Sequence, residues 1–299
     1  MSTDVSQPRP TAAQWLAGAR PRTLPAAVSP VLAGTGVAVW ADGFAPVQAA
    51  LALVVSLALQ VGVNYANDYS DGVRGTDANR VGPLRLVGSG LAAPATVKAA
   101  AFGSFALAAL TGLTLVVLCQ LWWLLVVGLA CILAAWYYTG GKHPYGYHGL
   151  GEVFVFVFFG LVAVAGTVLV QARSIPWQTW PVAVGIGAIA CSILVANNLR
   201  DLQGDLTAGK RTLATRLGEA GTRWFYTVLV GVAAVALLLV AATTTWWALL
   251  GLGGIAMLVP AVRTVLGGAR GPALIAVLKA TGSAELVYAL GLAVGLALF

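Results

Sequence analysis

Charge is what this chain has least of. Charged residues fill 9% of its 299 positions, where soluble domains carry roughly 25%. Hydrophobic residues make up 59%. That balance excludes a soluble globular domain and defines an integral membrane protein with several spans. Cysteine is scarce too. Cys119, Cys131 and Cys191 lie in apolar runs without metal-ligand spacing and read as small core residues. The two histidines, His143 and His148, share one loop and read as loop residues rather than a metal pair. Residues 1–20 lack an early apolar core and contain Pro8 and Pro10, so no cleavable signal peptide is expected. The formal charge of +7 is explained by orientation in a membrane, and no nucleic-acid partner is expected.

Apolar runs near the ~20 residues that cross a bilayer fall at 24–41, 46–66, 97–119, 121–138, 150–171, 179–199, 221–243, 246–266 and 277–298. In lipid the backbone must satisfy its own hydrogen bonds, so these are helices and the fold class is all-α. Nine spans put the chain ends on opposite sides. With the N-terminus cytoplasmic, sixteen of the seventeen Lys and Arg fall inside and only Arg173 outside, as the positive-inside rule requires. The expected organisation is a cytoplasmic segment 1–23 and one transmembrane domain, 24–299. Its longer inner connections are expected at about 67–96, 139–149 and 200–220.

Acids are few, and five of the ten sit in two short polar strings. The first runs Asn67-Asp68-Tyr69-Ser70-Asp71-Gly72-Val73-Arg74-Gly75-Thr76-Asp77, and the second Asn197-Asn198-Leu199-Arg200-Asp201-Leu202-Gln203-Gly204-Asp205. Asn197, Asp201 and Asp205 share one helical face at i, i+4, i+8; Asn67 and Asp71 share another, with Asn64 and Asp68 beside them. Gly72 and Gly75 are expected to end the first helix and return Asp77 to the cluster. Facing strings of Asn and Asp suit Mg²⁺, which takes a few carboxylates, waters and phosphate oxygens. Arg74, Lys142, Arg200, Lys210 and Arg211 interleave with the acids, as an anion bridged by metal and clamped by cations would need. The alternatives are acids that only pair with local Arg and Lys at a wet boundary, and a divalent-cation transporter. A transporter would carry polar groups near midplane, whereas these acids gather at one face.

The two strings, with Lys210-Arg211-Thr212-Leu213-Ala214 after the second, resemble the paired aspartate-rich motifs of the UbiA superfamily of intramembrane prenyltransferases. Within it, three segments resemble the branch that prenylates 1,4-dihydroxy-2-naphthoate in menaquinone synthesis. They are Ala19-Arg20-Pro21-Arg22-Thr23-Leu24-Pro25, Arg80-Val81-Gly82-Pro83-Leu84-Arg85-Leu86-Val87, and Tyr138-Thr139-Gly140-Gly141-Lys142 with Pro144 to Glu152. The resemblance implies a nine-helix UbiA-type bundle with an active-site cap on the cytoplasmic side of a bacterial plasma membrane. It implies Mg²⁺ as cofactor, with polyprenyl diphosphate, 1,4-dihydroxy-2-naphthoate and membrane lipid as partners. Asp71, Asp201 and Asp205 are the expected catalytic acids. With Asn67 and Asn198 they form the expected metal set, and Asp68 and Asp77 are second candidates, for the same metal cluster or for a place just behind it. Arg22, Arg74, Lys142, Arg200 and Lys210 are expected on the diphosphate, although Arg200, next to Asp201, is expected to point elsewhere on the helix and brace the loop. Asn64, Tyr138, Tyr145 and Glu152 are expected on the substrates, and Glu152 also suits a helix N-cap. Glu285, the lone acid well inside a span, is expected to find a local partner such as Ser283. A sister reaction on another aromatic acceptor, such as 4-hydroxybenzoate, fits the same motifs.

Overall fold

A computed structural model describes residues 10–75 and 84–298. Every regular element among them is helical. A short helix α1 (Ala12–Gly18) is followed by α2 (Pro25–Trp40), α3 (Pro46–Arg74), α4 (Pro94–Cys119) and α5 (Leu124–Tyr137). A long apolar helix, Gly151–Ala172, comprises α6 (Gly151–Val155), a π-helical stretch Phe156–Val162, and α7 (Ala163–Ala172). The chain ends with α8 (Thr179–Thr207), α9 (Leu213–Thr243), α10 (Leu252–Leu266) and α11 (Leu274–Ala297).

Seven of these helices, among the described residues, are long and apolar enough to cross a bilayer. The two other expected spans take different forms. Residues 24–41 become α2, which meets the Ala12–Thr23 stretch at a 50° bend. Pro25 opens α2 at N1, where its missing N–H costs nothing. Residues 121–138 become α5, only 14 residues long. The membrane-boundary strings are themselves helical. Helix α3 continues to Arg74 and α8 to Thr207, well past the expected ends at 66 and 199. Gly75 ends α3 at φ 73°, a left-handed conformation that glycine adopts without a Cβ penalty. The expected 67–96 and 200–220 connections are correspondingly shorter.

Helix α8 is the most buried of the long helices and packs against α9, α11, α2 and the π-helical stretch. Small residues make the close approach possible, as is usual where lipid removes the hydrophobic drive between helices. A Cβ at Gly160 would sit 2.7 Å from the Gly187 Cα and 2.8 Å from the Ala183 carbonyl oxygen. Backbone would have to move, so Gly160→Ala is expected to lower stability by about 1–3 kcal/mol. Thermal unfolding in detergent reads this directly. Unchanged unfolding would show that the two helices can part without cost.

The exposed tryptophans Trp122, Trp123, Trp246 and Trp247 lie in the turns that precede α5 and α10, as interfacial anchors do. Glu285 of α11 is fully buried, and neither carboxylate oxygen has a hydrogen-bond partner, so the expected local partner is not made.

Candidate active site

Helix α3 carries the first string on a face that turns inward, and its acids divide between two tasks. Asp71 accepts hydrogen bonds from the Tyr147 hydroxyl at 2.7 Å and the Arg85 guanidinium at 3.2 Å. Asp68 instead accepts the backbone amides of Leu86 and Val87 at 2.7 and 3.0 Å. Its carboxylate anchors the 84–90 turn, whose Leu86 is fully buried against α1 and Tyr65. Asp68 therefore does not stand among the chamber acids, contrary to its second candidacy for the metal cluster. Asn67 accepts the Thr139 hydroxyl at 2.7 Å. Arg74 donates to the carbonyls of Thr139 and Gly141 and lies over the Tyr147 ring at 5.4 Å. It fastens that loop to α3 and does not line the chamber, contrary to its expected diphosphate role.

The end of α8 supplies the second string. Arg200 forks onto Asp201 with two 2.7 Å bonds and reaches Asn197 at 2.9 Å. It faces the chamber rather than pointing away to brace the loop. The planar guanidinium allows a pairing with its own sequence neighbour that helical spacing alone does not anticipate. Lys210 lies 3.8 Å from Asp205 and 4.6 Å from the Tyr147 ring centre. Asn198 donates to the Glu152 carboxylate at 2.9 Å. Glu152 thus turns to α8 from the first turn of its own helix.

Both strings line one cavity of about 790 Å³. Asn67, Asp71, Asn197, Asn198, Asp201 and Asp205 face it, with Arg22, Arg85, Arg200, Lys210 and Lys279 among its cations. Each chamber acid already has a cation: Arg85 for Asp71, Arg200 for Asp201, Lys210 for Asp205. The set is oxygen-rich and hard. Three carboxylates and three asparagines on one chamber fit a hard divalent cation that shares its ligands with an anion. In this arrangement, however, no three acid, His or Cys side chains among the described residues are gathered tightly enough to hold an ion unaided.

A second cavity of about 530 Å³ runs between α3, α4, α5 and the Gly151–Ala172 helix, with mostly aliphatic and aromatic walls. Gln60, Asn67, Tyr138, Val155 and Phe159 line both cavities, so the polar chamber and the apolar groove share a wall. The π-helical stretch brackets this junction, a position such wide turns often take at functional sites.

The remaining expected residues are placed as follows. Tyr138 stands at the junction. Tyr145 lines the groove, stacks on Phe154 at 3.9 Å and donates to the Ala134 carbonyl. Burial, and then the nearby Tyr138, push its phenol above the ordinary range, so it stays a neutral donor. Asn64 lines the groove while its amide ties the Ala19 carbonyl and the Thr23 hydroxyl at 2.8 and 2.9 Å. Lys142 is exposed and does not line the chamber. Asp77 lies outside the described residues. Arg85, Tyr147 and Thr139 were missed by sequence reasoning. They stand on other loops, 14, 76 and 72 positions from their partners, where helical periodicity carries no signal.

The fold and the site define a polytopic helical membrane protein whose chamber of paired acids and bases opens beside an apolar groove. The UbiA prenyltransferase family matches it over residues 27–279, and the chain belongs to that family. It is similar to the 1,4-dihydroxy-2-naphthoate octaprenyltransferase of Mycobacterium tuberculosis H37Rv, 54% identical over 95% of this chain and 97% of the relative. The protein of that name from Escherichia coli K12 is 41% identical over 72% of each chain. Among solved structures, a UbiA homolog from Archaeoglobus fulgidus bound to GPP and Mg²⁺ covers 96% of this chain with a TM-score of 0.66 at 12% identity. At that identity the likeness concerns the fold.

Proposed function

We propose that this protein transfers a polyprenyl group from polyprenyl diphosphate to 1,4-dihydroxy-2-naphthoate, releasing diphosphate and CO₂, in menaquinone biosynthesis. The observation that carries this reading is the shared wall between a charged chamber and an apolar groove. A polyprenyl diphosphate has the same two-part chemistry. Its tail belongs in the groove beside lipid, and its diphosphate belongs among metal and cations. The similarity to naphthoate octaprenyltransferases supports the acceptor.

In this reading the chain crosses the bacterial plasma membrane nine times as one domain. Its two atypical crossings are α2 with its bent lead-in and the short α5. The chamber faces the cytoplasm, as the sixteen-to-one division of basic residues favours. The short elements at 12–23, 84–90 and 145–148 then form the cap.

Asp71, Asp201 and Asp205, with Asn67 and Asn198, would hold Mg²⁺. Once bound, the ion neutralises charge developing on the leaving diphosphate. Arg22, Arg85, Arg200, Lys210 and Lys279 take phosphate oxygens, and Arg85, Arg200 and Lys210 release Asp71, Asp201 and Asp205 to do so. The allylic C–O bond breaks and its electron pair leaves with the diphosphate. Tyr138 and Phe159, at the junction, offer ring faces to the allylic cation and keep water from it. The ring carbon that bears the carboxyl group attacks, and a C–C bond forms. Carbon dioxide departs, its bonding electrons return to the ring, and demethylmenaquinone results in its hydroquinone form.

Purified protein in detergent is expected to make this product with Mg²⁺ and to lose activity with a chelator, regaining it when Mg²⁺ is restored. Product from 4-hydroxybenzoate but not from dihydroxynaphthoate would overturn the acceptor and leave the site chemistry standing. Cation flux through proteoliposomes lacking prenyl substrate would overturn the reaction itself.

A further inference from the structure

Asparagine presents opposite chemistry from its two side-chain ends: the amide nitrogen donates and the carbonyl oxygen accepts. Which end faces a chamber is decided by what holds the other. Asn198 is held by Glu152, whose carboxylate oxygen takes the Asn198 amide nitrogen at 2.9 Å. Glu152 is 5% exposed and stands in the first turn of the Gly151–Ala172 helix, where the helix dipole favours an acid. A carboxylate there can accept from the amide nitrogen but offers nothing to the amide oxygen. The Asn198 oxygen is bonded to no described residue, yet it is not sealed in the interior, and Asn198 lines the chamber. Its free face is therefore the chamber. Asn67 is anchored the other way, through its oxygen to the Thr139 hydroxyl at 2.7 Å. A hydroxyl both donates and accepts, so that anchor selects neither end.

We infer that Glu152 is a positioning residue: it fixes the orientation of the Asn198 amide, so that Asn198 offers its oxygen to a divalent cation held with the diphosphate. Glu152 itself touches neither. The inference rests on the proposed metal-diphosphate site and extends it to a carboxylate behind the ligands. Groups that orient metal ligands typically change metal affinity by 10–100-fold when removed.

The test measures Mn²⁺ binding to purified, detergent-solubilised full-length protein by electron paramagnetic resonance, with inorganic diphosphate present. Glu152→Met, which fills similar space without an acceptor, is expected to weaken binding about 10-fold or more. Glu152→Gln both donates and accepts, so it no longer selects which end of the Asn198 amide it holds, and it is expected to bind between the parent and Glu152→Met. In an Asn198→Asp background, whose two carboxylate oxygens need no orienting, Glu152→Met is expected to cost far less. Equal affinity of Glu152→Met and parent overturns the inference. So does a loss that persists unchanged in the Asn198→Asp background. Should Glu152→Met fail to fold, Glu152→Gln takes its place: affinity equal to the parent's overturns the inference, and so does a loss that persists unchanged in the Asn198→Asp background. No diphosphate-dependent Mn²⁺ binding by the parent would overturn the metal site itself, an outcome distinct from a failure confined to Glu152.

Discussion

Asp201→Ala is expected to cut prenyl transfer by more than about 10²-fold, the scale of removing one preorganised electrostatic contact from an active site. The protein should remain folded and monodisperse in detergent. Asp201 is only part-buried, on the wall of an open chamber, and pairs with Arg200 on its own helix. After its removal Arg200 keeps its 2.9 Å hydrogen bond to Asn197 on the same helix. Asp201→Asn keeps the shape and loses the charge, so it should fall nearly as far. Steady-state turnover over a range of Mg²⁺ concentrations checks this, alongside gel filtration. Near-normal turnover at any Mg²⁺ concentration would remove Asp201 from the metal set.

Asp68→Ala should fail in the opposite way. Asp68 is fully buried, and its carboxylate holds two backbone amides of a turn that itself covers buried Leu86. Two hydrogen bonds to a charged acceptor at ~1.5–3 kcal/mol each give a loss of about 3–6 kcal/mol of stability. Thermal unfolding should shift sharply for Asp68→Ala and little for Asp201→Ala. Asp68→Asn keeps one acceptor oxygen, so it should recover part of the stability. It should also retain most turnover per folded molecule. If Asp68→Asn folds normally and yet is as inactive as Asp201→Asn, Asp68 serves the reaction directly and the structural assignment is wrong.

The contrast between these two acids marks where sequence reading stopped. Run length located seven helices, among the described residues, that are long and apolar enough to cross a bilayer, because ~20 apolar residues satisfy a bilayer whatever surrounds them. The i, i+4 spacing brought Asn67 and Asp71, and Asn197, Asp201 and Asp205, to one chamber, because that spacing is a property of the single helix. Asp68 and Asp71 are three positions apart, about 60° around the helix. Spacing alone cannot say which of the two meets a turn and which meets the chamber.

From sequence alone, then, came the membrane class, the sites of the helices and the two acid-bearing faces, all of which follow from local period and composition. Tertiary packing decided the rest. It set Asp68 on the amides of Leu86 and Val87, brought Arg85 and Tyr147 to Asp71, and turned Asn198 to Glu152. It also laid the charged chamber against an apolar groove along the wall of Gln60, Tyr138 and Phe159. These are contacts between segments far apart in the chain. Their geometry depends on how close small residues let the helices approach, as at Gly160 and Gly187, and no local pattern encodes that distance.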